Sequence, residues 1–235
     1  MTAGAAWLFK MAWRDFKASA GKLSLFMVSI ILGVAAIVSI QSFGETLKDN
    51  IALQSKALMG ADFKIDSDNA LTEEALAIVD SLGGADAEEI SFASMALFPK
   101  NGTTKLLQVR GISEGFPFYG EIETQPATAG RYFGKLNGAL VDATVMLQLG
   151  IEVGDTVKLG AVRLPVVGEL KNLPGSNAVF SAIAPPVVIP YSYVEQTGLV
   201  QLGSRIDYEY YFKAPEADMQ LLEDAVGERL DAAEA

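Results

Sequence analysis

The longest apolar run in the chain covers the 21 residues 23–43, LSLFMVSIILGVAAIVSIQSF, and contains no charged side chain. A helix of that length rises about 31 Å at about 1.5 Å per residue, which matches a hydrocarbon core about 30 Å thick. A cleaved signal peptide has a shorter apolar region, of about 7–15 residues, and a small-residue cleavage site that residues 39–43 do not resemble. A buried soluble helix is rarely apolar on all sides for so long. The run therefore predicts an uncleaved transmembrane helix.

Helical periodicity flanks this run on both sides. Before it, aromatic residues recur at helical spacing beside a basic stripe, a pattern that favours an interfacial amphipathic helix over an unstructured basic tail. After it, leucine and isoleucine share one face until Gly60, which predicts a helix end. The pattern predicts three consecutive segments: a cytoplasmic or interfacial helix over 1–22, the span over 23–43 and a helical stalk over 44–60.

The pattern beyond Gly60 changes to short alternating segments, which indicate strands. Asn101-Gly102 is a strong turn signal between two of them. The predicted elements are a strand over 61–66, a helix over 72–82, a hairpin over 88–99 and 103–112, a strand over 205–213 and an amphipathic helix beginning at Pro215. Together they predict an α+β layer of helices against a sheet, built from 61–112 and 205–235.

Residues 113–204 are richer in glycine and proline and contain short strand-like pieces. A helix is predicted over 141–149, capped by Asp142 and ended by Gly150. Residues 156–159 and 162–170 predict a second hairpin. These pieces indicate a small, partly open β-barrel inserted into the first layer.

Charge sets the predicted orientation of the span. Four basic residues and one acidic residue precede residue 44, so of the net charge of −11 the rest of the chain carries −14. An excess of lysine and arginine marks the cytoplasmic side of a membrane helix. The amino terminus is therefore expected in the cytoplasm, with the residues after about 43 periplasmic or extracytoplasmic and the span in the inner membrane.

Composition limits the chemistry that the chain can perform. It contains no histidine and no cysteine, which excludes Ser-His-Asp and Cys-His enzymes and zinc sites of the usual kind. The acidic outer part lacks the basic face that a nucleic-acid binder needs. Two carboxylate pairs, Glu121/Glu123 and Asp207/Glu209, leave an anchored hydrolase as a remote alternative, since solvated strand faces explain them better. We expect no catalytic, cofactor-binding or metal-binding residues.

Two groups of residues are candidate contacts. Ser29, Gly33 and Ala36 recur at helical spacing in the span, and small residues on one face let two helices pack closely in lipid. Phe116, Phe118 and Tyr119 form an aromatic cluster that predicts either a contact for a substrate or partner subunit, or a packed hinge between the two subdomains.

Four stretches, in order along the chain, resemble one family. They are Arg14-Asp15 leading into SIILGVAAIVSIQSF, QSKALMGAD at 54–62, VRGISEGFPFYG at 109–120 and TGLVQLGSR at 197–205, and VGDTVKLG at 153–160 also fits. The chain resembles the first segment of an ABC-transporter permease of the MacB/LolC/FtsX type. The most similar branch is that of predicted permeases with two large periplasmic domains, which are linked to export of hydrophobic or lipid-like compounds.

The resemblance implies a periplasmic core domain with a porter-like α+β subdomain and an inserted β-rich subdomain. It also implies three partners: a cytoplasmic ABC ATPase subunit that binds the ATP, a second permease copy or homologue, and the lipid bilayer. The stalk would then act as a lever that carries ATPase-driven motion outward. Because family members have at least three further spans, the sequence is expected to be part of a longer permease or a reduced form. The alternative is a single-pass anchored extracytoplasmic binding or scaffolding protein.

Overall fold

The structure, a computed structural model, describes residues 3–68, 71, 73–81, 84–176, 178–201 and 205–213. The chain divides into two compact units, Met1–Leu53 and Gln54–Ala235. Residues 72 and 82, the two ends of the helix predicted over 72–82, and the predicted helix beginning at Pro215 lie outside the described residues.

One helix, α1, extends from Ala3 to Met59 without interruption. It covers all three predicted helical segments, because a single glycine such as Gly21 lowers helix stability by only about 1 kcal/mol and does not end a helix. Side chains across the apolar run are exposed, Leu25 by 75% and Ile40 by 71%. Within the described part of the chain, α1 is the helix long and apolar enough, by length and composition, to cross a membrane.

The second unit contains nine strands in one sheet within the described residues. They are β1 Phe63–Ser67, β2 Ala87–Phe98, β3 Thr103–Ile112, β4 Glu123–Gln125, β5 Ala139–Asp142, β6 Thr156–Leu159, β7 Val162–Asn172, β8 Pro186–Pro190 and β9 Ile206–Phe212. The α-helices among them are α2 Glu73–Ser81, α3 Ala127–Arg131, α4 Ala143–Leu149 and α5 Ala178–Ile183. Short 3-10 helices cover Phe133–Lys135, Tyr191–Tyr193 and Glu195–Thr197. The fold is therefore α+β.

Six of the strands form a closed ring. The sheet runs β1-β9-β2-β3-β8-β5-β7-β4, and β6 pairs with both β2 and β7. Pairing of Ala96 with Leu159 and of Leu97 with Lys158 closes the ring. The sequence predicted a partly open barrel from residues 113–204 alone; the ring is closed and includes β2 and β3. The reason is the length of β2, whose first half pairs with β9 while its last residues reach β6.

The interior of the ring is the main hydrophobic core. Leu107, Val109 and Leu159 are fully buried there. Helix α4 contributes Val145 and Met146 to the same core. The predicted cap of α4 is confirmed, because Asp142 accepts hydrogen bonds from the backbone N–H groups of residues 144 and 145 at 2.8 and 3.3 Å.

A smaller core lies where α2 meets the outer strands. Ile65 of β1 and Phe212 of β9 pack with Val79 of α2. Since side chains alternate along a strand, the neighbouring residues of β1 and β9 project from the opposite face of the sheet. That opposite face is polar. The division into subdomains 61–112 plus 205–235 and 113–204 stays a prediction, although strands from both share one sheet.

Candidate functional site

The end of helix α1 is held by a loop that follows β3. Gly60, in the left-handed region at φ 81°, accepts a hydrogen bond of 2.7 Å from the backbone N–H of Phe118. The ring of Phe116 packs so closely that a Cβ on Gly60 would lie 2.7 Å from its Cζ atom. Phe116 itself is 7% exposed and lies against the ring of Tyr211, with 4.3 Å between ring centroids.

An ion pair reinforces this attachment. The Lys56 ammonium lies 2.9 Å from Oδ1 of Asp62, whose side chain is 1% exposed. The Tyr119 hydroxyl donates to Oδ2 of Asp62 at 2.8 Å, and this hydrogen bond raises the pKa of Tyr119. The Lys56 ammonium also lies 5.8 Å from the centroid of the Tyr119 ring. The last helical turn is thereby tied to the residues that follow it and to the loop.

A second loop contacts the helix end. The backbone N–H of Gly175 donates to the carbonyl oxygen of Leu58 at 2.7 Å, which satisfies one of the carbonyls that a helix terminus leaves without a partner. We use the name helix clamp for Lys56, Gly60, Asp62, Phe116, Tyr119 and Gly175, the residues that hold residues 54–60 of the second unit.

A buried charge network lies beneath the helix clamp. Arg110 of β3 is 3% exposed and forms a bidentate ion pair with Glu89 of β2, which is 1% exposed. The Tyr211 hydroxyl lies 3.0 Å from Oε2 of Glu89 and also bonds Glu209. Burial alone would lower the pKa of Arg110, but the Glu89 carboxylate raises it above its ordinary value. Burial and the two carboxylates raise the pKa of Tyr211.

The network continues to the outer strand β1. Lys64 contacts Glu209 and Asp66, each at 2.9 Å. Although burial opposes it, the hydrogen bond from Tyr211 and the Lys64 charge hold the pKa of Glu209 below its ordinary value of 4.5. We use the name buried charge network for Lys64, Glu89, Arg110, Glu209 and Tyr211.

A polar cleft of about 1070 Å³ lies on this face of the sheet. Its acidic lining residues are Asp66, Asp68, Glu89, Asp207 and Glu209, and its basic lining residues are Lys64, Arg110 and Arg205. Repulsion from Asp68 adds to burial, and together they raise the pKa of Asp207. Because most of these charges are already paired within the protein, the cleft resembles a structured polar surface more than a catalytic centre.

The lowered pKa of Glu209 predicts a pH-dependent contribution to stability. A carboxylate whose folded pKa is depressed stabilises the fold above its unfolded pKa, near 4.5 here, and loses that contribution as the pH falls through the folded pKa. We expect the Glu209→Gln variant to lose less unfolding free energy than wild type below about pH 4.5. Denaturant unfolding at pH 3 to 7 measures the difference. Glu195→Gln, at an exposed position, is the control, and equal acid dependence in all three proteins would contradict the prediction.

Because Gly60 is closely packed in the helix clamp, we expect Gly60→Ala to lose more stability than Gly102→Ala. We expect Gly102→Ala to destabilise by about 1–2 kcal/mol, because its φ of 67° is strained for alanine although a Cβ there has no neighbour within 4 Å among the described residues. Gly60→Ala adds overlap with the Phe116 ring, and overpacking adds about 1–3 kcal/mol. Thermal unfolding of both variants measures the difference, and equal losses would show that the Phe116 contact does not restrain Gly60.

The two predicted groups of contact residues lie in different environments. Ser29, Gly33 and Ala36 are exposed on α1, and a helix partner on that face stays a prediction. Phe116 is packed in the helix clamp, while Phe118 and Tyr119 are half-buried, and a hinge between the two subdomains stays a prediction. A contact of this cluster with a substrate or a partner also stays a prediction.

The two carboxylate pairs occupy different environments. Asp207 and Glu209 both line the polar cleft. Glu209 is engaged by Lys64 and Tyr211. Glu121 and Glu123 are exposed.

Sequence reasoning missed the buried charge network. Glu89 and Arg110 lie on the strand face opposite the residues that pack inside the ring, where charged side chains are usually solvated, so no local pattern marks them as buried. Such residues are almost never fully buried unless they are paired. Among the described residues, no group of three or more acidic side chains is arranged to hold a metal ion.

The class of protein is thus defined by a helix that is long and apolar enough to cross a membrane and by the α+β domain that follows it. The MacB-like periplasmic core domain model matches residues 23–229. Because this match covers most of the sequence, the chain belongs to the MacB-like periplasmic core domain family.

Similar proteins support this assignment. The chain is 24% identical over 200 residues to YbbP of Escherichia coli (strain K12), an uncharacterized ABC transporter permease, and the match covers 85% of this chain and 24% of YbbP. This chain therefore spans about a quarter of that relative and is homologous to an ABC transporter permease.

Two solved structures also align, each at 14% identity. The extracellular domain of the ABC-type transporter YknZ from Gram-positive bacteria aligns with a TM-score of 0.38, over 67% of this chain and 84% of that one. The periplasmic region of MacB from Actinobacillus actinomycetemcomitans aligns with a TM-score of 0.34, over 67% and 75%.

Proposed function

We propose that this chain is a segment of the permease subunit of an ABC-type exporter and that it passes motion from the membrane to an outer domain. In this role it performs no chemistry of its own. The observation that carries the proposal is the continuity of α1, which extends from Ala3 to Met59 and whose last residues belong to the clamped part of the sheet domain.

Physical stiffness supports the role of α1 as a lever. An uninterrupted helix has every internal backbone group bonded within it, so it resists bending more than a loop does. At its end, the helix clamp combines an ion pair to a buried carboxylate, backbone hydrogen bonds and a close ring contact. A displacement of residues 54–60 would therefore displace the strands to which they are attached rather than a flexible linker.

The remaining parts of the proposal concern partners and substrate. An ATPase subunit in the cytoplasm would supply the energy, since the sequence contains no G-x-x-x-x-G-K-[ST] phosphate loop. The exposed face with Ser29, Gly33 and Ala36 suits a second permease copy or another membrane helix. The basic flank supports a cytoplasmic amino terminus, and placement in the inner membrane rests on the family. Lipid-like or hydrophobic compounds as substrates rest on the family resemblance.

Copurification tests the proposal. The full-length gene product, tagged and extracted in mild detergent, is expected to retain an ABC ATPase subunit that mass spectrometry identifies by its phosphate-loop peptides. A tagged, unrelated single-span protein of the same membrane is the control for non-specific capture. Recovery of the product without any ATPase would contradict the exporter and favour the anchored binding or scaffolding protein.

A further inference from the structure

One buried side chain, that of Arg110, contacts both the loop of the helix clamp at Gly175 and the polar cleft. On one side, Arg110 donates to Oγ of Ser176 at 2.9 Å and to the carbonyl oxygen of Pro174 at 3.4 Å. Gly175, between these two residues, holds the carbonyl oxygen of Leu58. On the other side, Arg110 pairs with Glu89, and both line the polar cleft. A single guanidinium therefore contacts both the loop at the helix end and the cleft.

A second path connects the same two places through aromatic rings. Phe116 packs against Gly60 at the helix end and against the ring of Tyr211. The Tyr211 hydroxyl lies 3.0 Å from Oε2 of Glu89. Both paths thus meet at Glu89, which is 1% exposed.

The shared charges are expected to move together. Separating a buried ion pair leaves an uncompensated charge away from water, which is strongly unfavourable. The loop on the clamp side lies directly against Arg110, since a Cβ on Gly175 would be at van der Waals distance, 3.4 Å from Nη2 of Arg110 and 3.6 Å from the Tyr211 hydroxyl oxygen. A shift of the loop at Gly175 therefore displaces Arg110, and Glu89 follows it.

We propose that the polar cleft is the part of the sheet domain whose opening follows the position of the last turn of α1, and that Arg110 is the positioning residue that links the two. This inference rests on the proposed function, in which α1 moves the outer domain. It identifies the polar cleft as the part of the domain that this motion changes. The cleft then changes its exposed polar surface in each transport cycle while the core of the ring stays packed.

Cysteine labelling tests the link, because the sequence contains no cysteine. Ser91→Cys places a thiol at a buried position in the cleft lining, so its reaction with a maleimide reports opening of the cleft floor in the full-length protein. Gly175→Ala is added because alanine rarely adopts the φ of 75° found there, so the loop that contacts Arg110 has to shift. We expect the labelling rate of the Ser91→Cys thiol to rise at least about fivefold, the lower end of typical coupling between sites.

Two controls and a second test variant make the result specific. Gly102→Ala introduces a comparable strained φ at a hairpin turn and is expected to leave the rate within about twofold. Ala96→Cys is a buried reporter inside the ring and is expected to label equally slowly in all backgrounds. Ser176→Ala removes one hydrogen bond to Arg110 with little change of volume. It is also expected to raise the labelling rate of the Ser91→Cys thiol, so it replaces Gly175→Ala if that variant folds poorly.

Two results would overturn the inference. One is an unchanged Ser91→Cys rate in both the Gly175→Ala and Ser176→Ala backgrounds. The other is a parallel rise at both reporters, which would show general loosening of the domain. Copurification of the ATPase does not depend on either rate, so a cleft that fails to respond would overturn this inference and leave the proposed function intact.

Discussion

Replacing Arg110 with methionine is expected to lower the free energy of unfolding of the sheet domain by about 3–5 kcal/mol. The reason is that Glu89 and Arg110 are both almost fully buried, so removing the guanidinium leaves a carboxylate without its counter-charge. The hydrogen bonds from Arg110 to Ser176 and Pro174 are lost as well. Pulse proteolysis in urea, applied to the full chain in detergent, measures the loss because it follows the sheet domain separately from the membrane helix.

A matched control and a second variant make this prediction specific. Arg163→Met removes an exposed arginine from β7 and is expected to change stability by less than about 0.5 kcal/mol. The double variant Arg110→Met/Glu89→Leu removes both charges and is expected to recover part of the loss, since an apolar pair can replace a buried ion pair. A double variant less stable than Arg110→Met alone would contradict the account of an uncompensated Glu89.

Replacing Leu107 with alanine is expected to lower the unfolding free energy by about 2–5 kcal/mol. Leu107 is fully buried inside the ring of strands. Truncating its side chain removes buried apolar surface and leaves a cavity in a core that is closed on all sides and collapses little. The same pulse-proteolysis experiment measures the effect.

The neighbouring residue provides the control for Leu107. Leu106 lies on the same strand, points to the opposite side and is 41% exposed. We expect Leu106→Ala to destabilise by less than about 1 kcal/mol, because its methyl groups are already partly in contact with water. Similar losses for the two variants would contradict the inward position of Leu107 and hence the closed ring.

Local sequence signals were sufficient to predict several elements. The hairpin of β2 and β3 followed from alternation and from Asn101-Gly102, and α4 followed from Asp142 and Gly150. The apolar helix within α1 could be predicted because a charge-free run of membrane length is typical of a membrane helix and rare in soluble domains. In each case the signal lies within about 20 residues of the structure that it specifies, so one stretch of chain is enough to predict the element.

Other features depend on residues that are far apart in the chain. Closure of the ring needs Leu97 of β2 to meet Lys158 of β6, and no local pattern specifies such a partner. Strand β8, PVVIP, is short and bounded by prolines, so its alternation was too brief to read. The clamp contact between Gly60 and Phe116 joins a helix stop to a loop, and either residue alone is compatible with many structures.

The buried charge network gives the same lesson for the candidate site. Glu89 and Arg110 alternate with residues of the ring core, as charges on a solvated strand face do, and their pairing depends on the register of β2 against β3. In that register Glu89 faces Ile112, and the long arginine side chain reaches it diagonally. The structure was therefore needed to show that both residues are buried and that they pair with each other.

The central claim is that the sheet domain lies outside the inner membrane and that the amino terminus of α1 lies in the cytoplasm. The most direct test again uses the absence of cysteine from the sequence. Gly4→Cys and Arg163→Cys are each introduced into the full-length gene product, with the unsubstituted protein as the control for background labelling. A membrane-impermeant maleimide is added to cells whose outer membrane alone is permeabilised. The account predicts that Arg163→Cys reacts at once and that Gly4→Cys reacts only after the inner membrane is opened. Reaction of Gly4→Cys while the inner membrane is still closed, with Arg163→Cys protected, would contradict it.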